Sequence, residues 1–564
     1  MSFLKGYKFQ SFLAVTAKLV EAIFELIMPL LMAQLIDVGI RENDMNTVFS
    51  MVIWMFVLTI LGYLSSITCQ YLASYISQKV GGRMRHALFS KVTTFSEAET
   101  NKYSSAVLTN RITTDVNLVQ HMIAIVIRLG VRAPILMVGS LFALASISPK
   151  LSITLLYTFP LFVVVVIAFM WLSMKGHKKA AKNLDNLVNR FRESLSGTRI
   201  IRAFSKQEED IEKFSNQNEK LAKQQTRVGY ITTLSSPLTS FIMNLVLLLL
   251  VYLGALEINV GGMTQGQTVA VINYCTQLVM TLIVAMNLVM TISRGATSYT
   301  RIQEVLNVDV SVKDEGSFIL DPIHDIELNH VSYQYPGEGR YVVNDVSLKL
   351  KQGEVLGIIG LTGSGKSTLV KLLLRLMDTS EGTILYNSKD VTTYDIQSLR
   401  SQIGYAPQQA AFLRGTLEDN VLMNRQGDAK EALINAQGSD ILNKGLDSNI
   451  EEGGKNLSGG QRQRVSIARA LAKNPSLLVF DDTFSALDYL TDKNVRQSIK
   501  ENYSDVAQII VSQRTSTVMD ADQIIVLNNG KIEASGTHAE LLELNETYRK
   551  IHMIQTESGD AYVA

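Results

Sequence analysis

The sequence predicts an all-α six-helix transmembrane domain fused to an α/β nucleotide-binding domain of the phosphate-loop type, and three observations carry that prediction. Long apolar segments recur through the first half, and short β-rich runs alternating with helical patterns begin near residue 326. The third is "GLTGSGKST" at 360–368, directly after the strand-like "VLGIIG". At 564 residues the chain exceeds the roughly 250–300 at which one hydrophobic core stops growing, so at least two domains are expected. The expected boundaries are a membrane domain over 1–310, a linker over 311–325 that ends near Asp321-Pro322, a nucleotide domain over 326–555 and a tail over 556–564.

Six membrane spans are expected, at 13–36, 48–73, 123–147, 151–174, 237–258 and 268–292. An even number leaves both termini on one side. Lys5 and Lys8 precede the first span, Lys79, Arg83, Arg85 and Lys91 follow the second, and Lys175, Lys178, Lys179 and Lys182 follow the fourth. By the positive-inside rule that side is cytoplasmic. The first outer loop, "DVGIRENDMNT", leans acidic. The inner connections are long and alternate polar with apolar positions, as in "NLDNLVNRFRESLSGTRIIRAF". Amphipathic helices running out of the membrane are the economical reading, with a surface-lying helix as the alternative. The first apolar segment is long and followed by others, which argues against a short cleavable leader.

Several residues inside the spans need explanation. Lys18, Glu21 and Glu25 lie in the first span, where charges face a protein interior or an aqueous cavity rather than lipid. Glu21 and Glu25 are four apart, near one helical face. They suit either a cavity that attracts cationic amphiphiles or ion pairs with Lys18 or a base on a partner chain. The sixth span, "CTQLVMTLIVAMNLVM", places Gln277 and Asn287 among methionines, a surface suited to varied apolar ligands or to helix packing. Cys69 and Cys275 each sit in apolar sequence; a pair or isolated thiols are both open, with burial as small hydrophobes favoured. The formal charge of +1 gives no reason to expect nucleic acid as a partner. The seven dispersed histidines form no metal cluster.

The soluble half carries the chemistry. Gly360, Gly363 and Gly365 let the chain turn so that its N–H groups, with Ser364 and Thr368 in the same stretch, surround phosphate. Lys366 is placed for the β and γ phosphates and Ser367 for Mg²⁺. "LLVFD" at 477–481 ends a buried strand in Asp481, an acid positioned to hold Mg²⁺ through water. "LSGGQRQR" at 457–464 offers Ser458, Gly459 and Gly460 as a second set of donors at a helix start. One phosphate group is already embraced by the first loop. The second therefore suits a nucleotide held by another chain.

These motifs, with "SALD" at 485–488 and "IRAF" at 201–204, resemble the ATP-binding cassette exporters built as half-transporters, over nearly the whole chain. The resemblance implies ATP and Mg²⁺ as ligands, with two cassettes packed head to tail. It implies that Tyr335 in "VSYQYP" stacks on adenine, that Gln408 in "YAPQ" helps bind the metal and reports the γ-phosphate to the membrane helices, and that Asp488 sits at the seam coupling two sites. Two positions depart from the family. Asp482 stands where efficient sites have Glu, and Gln513 in "VSQRTS" stands where the pattern has His. Losing one methylene of reach misplaces a catalytic carboxylate on a scale that costs roughly 10²-fold in rate. Glutamine can donate a hydrogen bond but cannot carry the imidazole's proton. The signature Ser458-Gly459-Gly460-Gln461 is intact.

This combination resembles the degenerate-site subunit of bacterial heterodimeric multidrug exporters. It implies a bacterial plasma membrane location, small hydrophobic or cationic cargo, and a second half-transporter carrying the catalytic Glu, the switch His and a weaker signature loop. A homodimer with two slow sites that exports lipid, peptide or haem-like cargo is one alternative. A ligand-gated channel or regulatory receptor on the same scaffold is another.

Overall fold

The computed structural model describes residues 2–337 and 339–560. They fall into two compact units, one comprising residues up to 90 with 109–307 and the other 91–108 with the chain from 308 onward.

The first unit is helical. Helices run Lys8–Gln34, Met45–Val92, Val116–Leu129, Arg132–Ile147, Pro149–Ser196, Gln207–Asn259 and Gln265–Leu306. Among the described residues, five helical stretches are long and apolar enough to cross a membrane, beginning at Lys8, Met45, Ser105, Gln207 and Gln265. The span expected at 151–174 lies in Pro149–Ser196, where a number of side chains fall outside the described residues. The helices run well past the apolar spans, in line with the expected amphipathic extensions. At 1.5 Å per residue, the 48 residues of Met45–Val92 make a rod of about 70 Å, more than twice the hydrocarbon thickness of about 30 Å. Their starts are chemically marked: Ser148 caps a helix whose first residue is Pro149, and Thr264 with Gln267 forms a capping box.

The span expected at 123–147 is interrupted at Gly130 and Val131. Pro134 is the cause, since it has no N–H to donate to the carbonyl four residues back, at Gly130. The charges of the first span are paired. Lys18, only 3% exposed, lies 2.7 Å from Glu21, and Glu25 accepts a bidentate grip from Arg132, which opens the helix just after the break. Cys69 and Cys275 are separate buried thiols.

The second unit is built on three sheets. Its strands are β1 (Asp325–Tyr333), β2 (Val343–Lys351), β3 (Val355–Ile359), β4 (Glu381–Tyr386), β5 (Lys389–Asp390), β6 (Ile403–Ala406), β7 (Gly415–Thr416), β8 (Asn449–Ile450), β9 (Leu477–Asp481), β10 (Ala507–Ser512), β11 (Gln523–Asn528) and β12 (Lys531–Gly536). A four-stranded antiparallel sheet has the order β2-β1-β4-β5, and a six-stranded sheet the order β12-β11-β3-β10-β9-β6. In the larger sheet β11, β3, β10, β9 and β6 are parallel. Their β-branched and leucine-rich runs are buried almost throughout, as strands covered on both faces must be.

Residues 91–108, expected within the membrane domain, group with this unit. Glu97, at the start of the short helix Glu97–Lys102, pairs with Lys371 at 2.6 Å. Glu99 accepts from the backbone and hydroxyl of Ser311 at 3.1 and 2.7 Å. These bonds account for the grouping.

Candidate nucleotide-binding site

Four neighbouring parallel strands, β3, β10, β9 and β6, end at one edge of the sheet. Ile359 is in register with Ser512, Val511 with Asp481, and Phe480 with Ala406. The segments that leave this edge carry the motif residues, which is where ligands bind in open α/β sheets.

From β3 the chain turns through the glycine loop into the helix Lys366–Leu373. The turn demands glycine at Gly365, whose φ is +102° and where a Cβ would lie 2.5 Å from the carbonyl oxygen of Val342. Gly363, at φ +80°, has open space around it. Lys366 is buried, and its ammonium folds back to donate to the carbonyls of Gly360 and Leu361, both at 2.8 Å. Burial lowers its pKa. Ser367 donates to Asp481 at 3.1 Å, joining the two residues expected to share a metal. Tyr335 lies at the same loop, with its hydroxyl 3.3 Å from that of Thr368 and its ring edge-on to Tyr333 at 5.1 Å.

Asp482 follows Asp481 with φ +49°, its N–H donating to the carbonyl of Val511 at 2.9 Å. One carboxylate oxygen accepts from the Gln408 side chain at 3.2 Å. The other is buried and has no partner among the described residues. Burial raises the pKa of both Asp481 and Asp482, partly offset by the hydrogen bonds each receives. Gln513 leaves β10 opposite the loop, and its side-chain oxygen accepts from Thr362 at 3.4 Å.

The expected signature residues are built differently. Ser458 caps the helix Gly459–Leu471 in a capping box with Gln461, and Gly459 has nothing within 4 Å of where a side chain would begin. A Cβ on Gly460 would meet only the outskirts of Ala486 and Leu487, at 3.9 and 4.0 Å. Asp488, close by in sequence, caps the helix Tyr489–Asn502 through the amide of Thr491, a bond that holds its pKa low.

Three residues that sequence reading did not single out tie these parts together. Gln463, on the signature helix, donates to the backbone carbonyl of Gln408 at 2.7 Å. Arg514 donates to the carbonyl of Ser485. Gln555, on the helix Glu546–Asp560, donates to the carbonyl of Gln513 at 2.7 Å and accepts from the N–H and hydroxyl of Thr515 at 2.9 and 3.0 Å. The "QRQR" spacing placed Gln463 on a helix but could not say which way it faced.

Comparison with known proteins decides the family. Residues 11–282 match the ABC transporter transmembrane region and residues 343–485 the ABC transporter domain. The uncharacterized ABC transporter ATP-binding protein YfiB of Bacillus subtilis (strain 168) is 33% identical over 98% of both chains.

The chain belongs to the ABC transporters.

An ATP-dependent lipid A-core flippase of Syntrophus aciditrophicus (strain SB) is 29% identical over 89% of this chain and 85% of its own. The fold matches a bacterial Atm1-family ABC exporter solved with ATP bound, at a TM-score of 0.80 and 21% identity over 97% of this chain and 98% of that one. ATP binding, usually with Mg²⁺, follows from the ABC transporter domain. The residues fit that pair: a glycine loop at a helix start, a lysine whose bonds to carbonyls are exchangeable, and a serine beside a buried acid.

Proposed function

We propose that this chain is the ATP-retaining half of a heterodimeric ABC exporter of amphipathic compounds, in a bacterial plasma membrane with the nucleotide-binding domain and both termini cytoplasmic. The observation that carries the reading is the combination of Asp482 and Gln513 at the hydrolytic positions with an intact, open Ser458-Gly459-Gly460-Gln461.

In this reading Gly360, Gly363, Ser364, Gly365, Lys366 and Thr368 hold the nucleotide phosphates, Ser367, Gln408 and Asp481 hold Mg²⁺, and Tyr335 supports the adenine. ATP bound with its metal supplies a terminal phosphate open to attack by water. Asp482 offers the buried unpartnered oxygen as an acceptor for that water, but from a side chain one methylene short, while Gln513 cannot shuttle a proton. Retention is therefore favoured over turnover. Ser458 and Gly460 present a hydroxyl and backbone donors to the nucleotide of the second chain, whose Glu and His perform the hydrolysis, and Asp488 borders that contact. Cargo export follows from closing and reopening the pair, a shift between populations rather than a covalent step. The lipid A-core flippases among the relatives favour lipid-like amphiphiles as cargo beside drugs.

The deciding experiment purifies the chain alone and together with a co-expressed second half-transporter, then measures Mg²⁺-ATP turnover. Near-zero turnover alone, fast turnover together and loss through Glu→Gln only in the partner are expected. Fast turnover by this chain alone would establish a homodimeric ATPase instead.

A further inference from the structure

The membrane unit contains a cavity of about 350 Å³, within the roughly 300–1,000 Å³ typical of small-molecule sites. Met28, Leu136 and Met280 supply apolar wall, and Glu25, Arg132 and Gln277, together with Asn273, Thr276 and Thr281, supply its polar groups. Arg132 and Glu25 are each about a third exposed, so both are reachable from the cavity.

Their pairing determines what the wall looks like to a ligand. Both Glu25 oxygens are occupied, by Nε of Arg132 at 3.1 Å and Nη2 at 2.8 Å. The wall is neutral as a unit. A cation drawn to Glu25 would leave Arg132 bare in a membrane interior, and an anion drawn to Arg132 would do the same to Glu25. Either exchange is unfavourable, because breaking the pair from one side leaves an uncompensated charge beside an apolar wall. Donors nevertheless remain. Nη1 of Arg132 has no partner among the described residues, and Gln277, whose side-chain oxygen accepts from the buried Ser140 at 3.0 Å, has its NH₂ left over.

We propose that this cavity takes an uncharged amphiphile whose head carries hydrogen-bond acceptors, and that the Glu25–Arg132 pair acts as its charge filter. The acceptor oxygens meet Arg132 and Gln277 without disturbing the ion pair, while the apolar body lies on Met28, Leu136 and Met280. This names the cargo class for the exporter reading and rests on it for transport, but the binding itself involves no ATP.

The test is equilibrium binding of three fluorescent amphiphiles to the full chain in lipid nanodiscs, referenced to empty nanodiscs. The probes are uncharged, carbonyl-bearing Nile red, cationic rhodamine 6G and anionic anilinonaphthalene sulfonate. The native chain should bind Nile red at least about tenfold more tightly than either charged probe, a difference of roughly 1.4 kcal/mol. Glu25→Gln should raise affinity for the anionic probe and Arg132→Gln for the cationic one, whereas the double variant should return to the native ranking. Leu136→Trp, which fills the cavity, should weaken Nile red binding. Preference of the native chain for rhodamine 6G, lost in Glu25→Gln, would overturn the filter. Unchanged Nile red binding in Leu136→Trp would overturn the site. Because none of these readouts depends on nucleotide, failure of the two-chain division of labour would leave them unmoved.

Discussion

The phosphate-loop edge and the signature loop of the nucleotide-binding unit differ in how they satisfy their polar groups. At the first, Lys366 is tied to two carbonyls, Ser367 to Asp481 and Gln408 to Asp482. At the second, Ser458 and Gln461 satisfy each other and Gly459 stands in open space. An edge whose groups bond one another must exchange bonds to accept a ligand. A capped, open helix start can receive one without rearrangement. The departures Asp482 and Gln513 both fall on the crowded edge, which is why retention and donation are assigned to different surfaces of one chain.

The strongest way to break this comparison is to block the open loop. Gly460→Asp should cut ATP turnover of the assembled pair by on the order of 10²–10³-fold, the scale of losing a donor aimed at a transferring group. An unchanged rate would mean that the loop serves no second nucleotide. Next is Lys366→Ala, which should weaken ATP retention by this chain on the order of 10²-fold in a filter-binding assay, with a smaller fall in the pair's turnover. Equal losses from the two variants would erase the distinction between surfaces.

Two smaller effects would sharpen it. Gln555→Ala removes the grip on Gln513 and Thr515; with about 1 kcal/mol of that grip, the worth of one net hydrogen bond, felt at the nucleotide, ATP dissociation from this chain should quicken roughly fivefold, while Gln555→Glu, which loses the donor but keeps the acceptor, should give a partial effect. The smallest concerns pH. Burial raises the Asp482 carboxyl, so the acid opposes folding progressively as pH climbs past its unfolded value and fully above its folded one. Asp482→Asn should therefore raise the melting temperature of the nucleotide-free chain by on the order of 1–2 °C at pH 8, and by less at pH 4. A larger gain at pH 4 would contradict that sign.

The nucleotide edge was legible because its motifs are local: glycine spacing fixes a turn, an apolar run fixes a strand, and the acid at its end follows. What escaped the sequence depends on contacts between distant residues. The Glu25–Arg132 pair joins positions 107 apart, and the choice between an anionic cavity and paired charges could be made only once helix packing was known. Gln555 reaches Gln513 from 42 residues away, and its surrounding sequence carries no motif. The break at Gly130 was readable in principle, four residues before Pro134, but a hydropathy window averages across it. Helix length was legible from two signals together: apolar runs report the part in lipid, and the amphipathic connections that follow them carry the continuous rods onward.

The two acids of the first span meet different circumstances while the protein is being made. Lys18 lies one helical turn from Glu21, so their ions can neutralise each other as soon as that helix forms. Glu25 has no such neighbour, and its counter-ion is synthesised 107 residues later. A nascent chain that ends between them carries a lone acid at bilayer depth, at a cost of about 2.5–3.5 kcal/mol for a central Asp, Lys or Arg. Arrival of Arg132 relieves that cost. The ion pair thus ties the electrostatic comfort of the first span to the presence of the third.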